Sequence, residues 1–131
     1  MGVSENLDLV RRGYAAFTAG DLDTLQTLFK PDIVHAVPGT SPIAGEHKGT
    51  DEVFAMYGNL FALSEGTMSI QLEDVLSDGG DRVVAIHTAQ ANRNGEALTS
   101  REALLFTIEG DKVASIQDFF PDIEAQDQFW S

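Results

Sequence analysis

The chain has 131 residues, no cysteine, and 21 acidic against 8 basic side chains, giving a formal charge of -13. The absence of cysteine excludes disulfides, thiol catalysis and Cys-bound metals, and leaves three histidines as the only nitrogen ligands. So acidic a chain lacks the basic footprint that nucleic acid or an anionic membrane surface requires, and 43% hydrophobic residues suit one domain, residues 1–131, around one core.

Met1 to Asn6 has neither the basic nor the apolar region of a signal peptide, and no apolar run could cross a bilayer, so a cytoplasmic protein is expected. Ser4 is a candidate helix N-cap, followed by Leu7, Val10, Tyr14 and Phe17 at helical spacing until Gly20 stops the helix. Asp21 caps a shorter helix with Leu22, Leu25, Leu28 and Phe29 inward, which must end before Pro31. Ile33 to Val37 reads as a strand with Ile33, His35 and Val37 on one face.

Pro38 to Gly49, rich in proline and glycine, is expected to be a loop with His47 exposed. Thr50 then caps a third helix, apolar at Val53, Phe54, Tyr57, Leu60 and Phe61. Met68, Ile70, Leu72 and Asp74 share one side of a strand that reaches about Leu76. Ser77 to Asp81 is a turn, and Arg82 to Arg93 is a strand whose two sides, one holding His87, are not told apart by pattern. Asn94-Gly95 predicts a hairpin into Ala97–Glu109.

In that last strand Leu98, Ser100, Glu102, Leu104, Phe106 and Ile108 lie on one face. After the turn Glu109-Gly110-Asp111-Lys112, the next strand groups Ala114, Ile116, Asp118 and Phe120. Glu102 and Asp118 therefore point at the core, where a carboxylate is costly unless paired, protonated or wet. Phe129 and Trp130 in the tail are large enough to dock. Helices first and a strand meander last predict an α+β fold, a curved antiparallel sheet wrapped around three helices from the N-terminal half, with a central pocket.

The ordered set Tyr14-Ala15-Ala16-Phe17, Gly20-Asp21-Leu22-Asp23, Pro31-Asp32-Ile33-Val34-His35, Pro38-Gly39, Pro42-Ile43-Ala44-Gly45, Gly49, Phe106, Gly110-Asp111-Lys112-Val113 and Asp118-Phe119-Phe120 spans nearly the whole chain. It resembles the cone-shaped nuclear transport factor 2-like superfamily, and within it the SnoaL-like polyketide cyclases, ketosteroid isomerases and limonene-epoxide hydrolases. The resemblance implies an oxyanion-hole role for Tyr14, a protonated-acid role for Glu102 and a catalytic role for Asp118. The isomerases' general base would fall at Val37, and the hydrolases' Arg-x-Asp pair has no counterpart around His87. It also implies a homodimer formed through the outer sheet face, with Thr99, Arg101, Ala103, Leu105, Thr107, Val113, Ser115, Gln117 and Phe119 as that face.

A cofactor-free acid/base catalyst of isomerase, cyclase or hydrolase type on a small, largely apolar organic molecule is the leading expectation. Asp118 would be the base, assisted by His87, Glu102 and Tyr14. His35, Val37, Phe17, Phe54, Tyr57, Leu104, Ile116 and Phe120 would face the substrate. Glu102 could instead form a rim ion pair with Arg101 or Arg82, and Asp118 could be a structural acceptor. No His-x-His or Glu-x-x-His spacing occurs, so no metal is expected. A non-catalytic binding domain and a dimerisation module with a filled pocket are the alternatives.

Overall fold

The computed structural model describes residues 2–131. Helices α1 (Val3–Ala19) and α2 (Leu22–Leu28) lead into strand β1 (Phe29–Val37), then β2 (Gly45–Lys48) and helix α3 (Gly49–Leu63). Strands β3 (Ser69–Ser77), β4 (Arg82–Arg93), β5 (Glu96–Glu109) and β6 (Lys112–Phe119) follow, and helix α4 (Ile123–Trp130) closes the chain. The strands form one curved, unclosed sheet in the order β2-β1-β6-β5-β4-β3. Every neighbouring pair is antiparallel except β1 with β6, which is parallel. The fold is the expected α+β cone, with that one parallel seam and a fourth helix added.

The caps follow local chemistry only in part. Gly20 ends α1 in the left-handed conformation and Asp21 caps α2 by accepting the Thr24 N–H, both as the residue types require. Ser4 lies inside α1, whose N-cap is Gly2, a residue also tolerated there. Thr50 lies inside α3, whose N-cap is Lys48. Glu52, one turn in, reaches back to accept the Lys48 N–H at 3.0 Å and so satisfies a donor at the helix start.

Three strands depart from simple alternation. β1 begins at Phe29, not Ile33, and its register against β6 shifts between Phe29 and Val34, where Pro31 has no N–H to give the ladder. A bulge between Leu72 and Asp74 turns Val75 inward and Asp74 outward, so Asp74 does not continue the Met68–Leu72 row. A second bulge on β6 at Ala114 puts Val113 inside at 2% exposure, opposite Ile108, which removes it from the outer face. The segment read as a loop contains β2, a short polar edge strand. His47 in it is half-buried and donates from Nε2 to the Ile43 carbonyl at 2.9 Å, so it is not simply exposed.

In β4 the inward set is Val83, Ala85, His87, Ala89 and Ala91, all nearly inaccessible. Leu9, Val10, Ile33, Val53 and Val83 form the driest part of the core, with α1 against β3 and β4 and α3 against β1. After Pro121, Asp122 caps α4 by accepting the Ala125 N–H, and Gln126, Phe129 and Trp130 form its buried stripe at helical spacing. Phe129 and Trp130 are docked, as their size predicts.

Candidate functional site

Four neighbouring strands each turn one titratable side chain into the cone. The register pairs His35 of β1 with Ile116 of β6, Asp118 of β6 with Leu104 of β5, and Glu102 of β5 with His87 of β4. The inward row across β1, β6, β5 and β4 thus reads His35, Asp118, Glu102, His87. The two carboxylates are diagonal neighbours, which for paired strands places their Cα atoms roughly 7 to 8 Å apart.

A tyrosine from a helix completes each end of the row. The Tyr57 hydroxyl of α3 meets His35 Nδ1 at 2.8 Å, and His35 Nε2 lies 2.8 Å from Asp118 Oδ1. Tyr14 of α1 meets His87 Nδ1 at 2.7 Å, and His87 Nε2 lies 2.9 Å from Glu102 Oε1. Each imidazole can pass one N–H to its carboxylate from Nε2 and accept the tyrosine proton at Nδ1. Burial pushes both tyrosine hydroxyls well above their ordinary pKa. The negative charge of Asp118 adds to both, and that of Glu102 adds to Tyr14.

The chains part ways at the second carboxylate oxygen. Gln126 of α4 donates from Nε2 to Glu102 Oε2 and to Ser100 Oγ, each at 3.0 Å. Its amide cannot be the other way round, because the Trp130 indole N–H, a donor only, meets Gln126 Oε1 at 3.1 Å. Glu102 is therefore held at both oxygens. Asp118 has no partner at Oδ2 among the described residues, and its side chain is 13% exposed against 8% for Glu102.

These groups face a hollow of about 100 Å³, measured by the positions open to a water molecule's centre, enough for several waters or a small organic molecule. Tyr14, Phe17, His35, Val37, Tyr57, His87, Glu102, Leu104, Ile116, Asp118 and Phe120 all line it. Phe54 does not: its ring packs on Phe29 and Tyr57, with centroids 6.1 and 6.0 Å away, behind the wall. The rim ion pairs considered for Glu102 do not form, since Arg101 pairs with Glu73 and Arg82 with Asp78. Among the described residues no group of three or more His, Asp or Glu side chains is arranged to hold a metal ion.

Sequence reasoning missed Gln126 and Trp130, which also line the hollow. Asp122 followed by Ala125, Gln126, Phe129 and Trp130 was the available signal, a capped helix with one apolar stripe. The residue after Gln126 has an outward task. Asp127 accepts the backbone N–H of Thr40 at 2.9 Å and of Ser41 at 3.0 Å, holding the loop that leads to Ile43, another wall residue. Gly39 permits this approach, because a Cβ there would collide with the Asp127 carboxylate and its φ of 104° suits glycine.

The cone of curved sheet and helices is a fold shared with proteins described as NTF2-like. An NTF2-like protein from Burkholderia xenovorans superposes with a TM-score of 0.83 at 23% identity, covering 100% of this chain and 99% of its own. Residues 10–116 match the SnoaL-like domain, and the chain belongs to that family. An uncharacterised protein of Mycobacterium tuberculosis is 42% identical over 126 residues, 96% of each chain. Bal32a, from a soil-derived mobile gene cassette, shares 40% identity over 98% of each chain, with a TM-score of 0.93.

Proposed function

We propose that the protein binds a small, largely apolar organic molecule in this hollow and performs cofactor-free acid/base chemistry on it, of isomerase, cyclase or hydrolase type. The observation that carries this reading is the open Oδ2 of Asp118, an acceptor in an otherwise apolar cavity, backed at Oδ1 by His35 and Tyr57. Asp118 is the proton acceptor, and the His35 N–H stabilises and aims its carboxylate. Glu102, His87 and Tyr14 form the second, assisting chain. Membership of the SnoaL-like family supports a small-molecule function, and the choice of position and of reaction type rests on the hollow and its side chains.

The test is proton exchange. A panel of apolar carbon acids such as cyclic 1,3-diketones is incubated with the protein in heavy water, and deuterium uptake is followed by NMR. The wild type is expected to accelerate exchange for at least one member, and Asp118→Asn to lose roughly 10²- to 10⁴-fold, the usual scale for a positioned base. One observation favours a second reading, binding without turnover: both tyrosine hydroxyls are already bonded to imidazoles. Saturable binding with no exchange in either protein would select it.

The reading includes a homodimer through the convex sheet face, where Phe119 is 52% exposed and Ile86, Ala103 and Leu105 are half-buried beside it. A monomeric mass by light scattering at micromolar concentration would remove that part.

A further inference from the structure

Resting on the reading of the hollow as a small-molecule site, the hydrogen inventory of its wall says which small molecule. Each tyrosine–imidazole–carboxylate chain has two hydrogen bonds. With a neutral imidazole it has two protons to make them, one from the tyrosine and one from the ring. A third proton would either turn Nδ1 into a donor and leave the tyrosine O–H without an acceptor or, on the Asp118 chain, sit on the open Oδ2 and remove the charge that strengthens the bond from the His35 N–H. An unmet buried donor and a bond stripped of its charge are both unfavourable, so the two-proton arrangement is the one that keeps every hydrogen bond of the two chains at full strength.

In that state every polar hydrogen of the buried inner wall is engaged, the amide of the exposed Gln90 being the one set left free among the described lining residues. The Tyr14, Tyr57, His35 and His87 hydrogens serve the chains. Both amide hydrogens of Gln126 go to Ser100 and Glu102, and the Trp130 N–H goes to Gln126. Asp118 Oδ2 is the one strong acceptor left over. Among the described residues no Lys or Arg lines the hollow, so nothing there compensates a second negative charge.

We infer that the resting site selects an uncharged apolar guest that brings its own hydrogen-bond donor, an alcohol, enol or phenol hydroxyl directed at Asp118 Oδ2. Guests that offer only acceptors, such as ethers or carboxylates, find no free hydrogen in the buried part of the wall and set their oxygens against Asp118 Oδ2. The polarity is set by one atom, and it is reversible by design. Asparagine at position 118 still accepts the His35 N–H through its carbonyl but turns an amide donor into the cavity.

The experiment titrates naphthylmethanol, its methyl ether and naphthoate into the full-length protein by calorimetry. Occupancy is checked on the indole N–H resonance of Trp130, the single tryptophan of the chain and a wall residue. A hydrogen bond to a charged acceptor predicts about 10- to 100-fold tighter binding of the alcohol than of the ether to the wild type. Naphthoate is expected to be weakest. In Asp118→Asn the preference for the alcohol collapses, and the ether and naphthoate gain. Equal affinities of alcohol and ether for the wild type, or a preference for naphthoate, would overturn the inference while leaving the pocket reading standing. No binding by any of the three, with no shift at Trp130, would overturn both.

Discussion

The two tyrosine–histidine–carboxylate chains are built from the same three groups in the same order, yet they end differently. Glu102 is closed at both oxygens by His87 and by Gln126 of α4, whereas Asp118 is closed at one oxygen and open at the other. A buried carboxylate with both oxygens engaged is a fixed post, held in one orientation by partners on either side. With one oxygen open it can take a new partner. What separates an anchor from a candidate base here is a fourth element, the C-terminal helix, applied to one chain and not the other.

The strongest way to break this contrast is to remove what holds the closed side. Trp130→Ala deletes a side chain only 2% exposed and is expected to lose about 3 to 5 kcal/mol in urea unfolding, the scale for truncating a buried aromatic. It also frees the Gln126 amide to rotate away from Glu102. A loss comparable to that of an ordinary surface substitution, within about 0.5 kcal/mol, would mean that α4 does not close that side.

A paired substitution sharpens the same point. Glu102→Gln turns an amide N–H toward either Gln126 Nε2, donor against donor, or His87 Nε2, where the imidazole must switch tautomer and leave the Tyr14 hydroxyl hydrogen unmet, and is expected to lose about 1 to 3 kcal/mol. Asp118→Asn creates no such conflict, because its amide nitrogen takes the open position, and its loss should stay within about 1 kcal/mol. Equal losses in the two variants would erase the distinction.

The tyrosines give a pH test. Their folded pKa values lie above the ordinary value of about 10, so below that pH both are protonated, folded or not, and stability is unaffected by them. Above it the unfolded chain ionises first, and stability falls as pH rises toward the folded values. Tyr14 and Tyr57 are the only two tyrosines. The ultraviolet signal of tyrosinate should therefore appear together with unfolding rather than before it. Tyr14→Phe and Tyr57→Phe should each flatten part of the alkaline decline.

Outside both chains the effect should be smallest. Arg101→Ala breaks the exposed pair with Glu73 on the convex face and is expected to cost under about 1 kcal/mol, read in the same unfolding assay.

Much of this was legible in the chain because period-two alternation is a local signal. It put Glu102 beside Leu104 and Phe106, and Asp118 beside Ile116, and both carboxylates do line the hollow. The partners of those acids were not legible. His35 meets Asp118 across a parallel seam between the first long strand and the last, a register that no short-range pattern encodes. Bulges at Ala114 and beyond Leu72 each slip the alternation by one, which misplaced Val113 and Asp74. Phe54 follows the helical stripe that carries Tyr57, but the stripe is wider than the cavity wall and Phe54 falls on its far edge. Gln126 was missed for a different reason: its helix is short, follows a proline, and stands where a tail was expected.

Adjacent residues of that short helix grip two separate parts of the molecule. Gln126 reaches inward to Glu102, and Asp127 reaches outward to the backbone of Thr40 and Ser41. Any guest bulky enough to push the 38–44 segment aside must drag on the same turn of helix that fixes the Glu102 carboxylate. The position of that segment and the orientation of the Glu102 carboxylate are thus tied to one turn of helix.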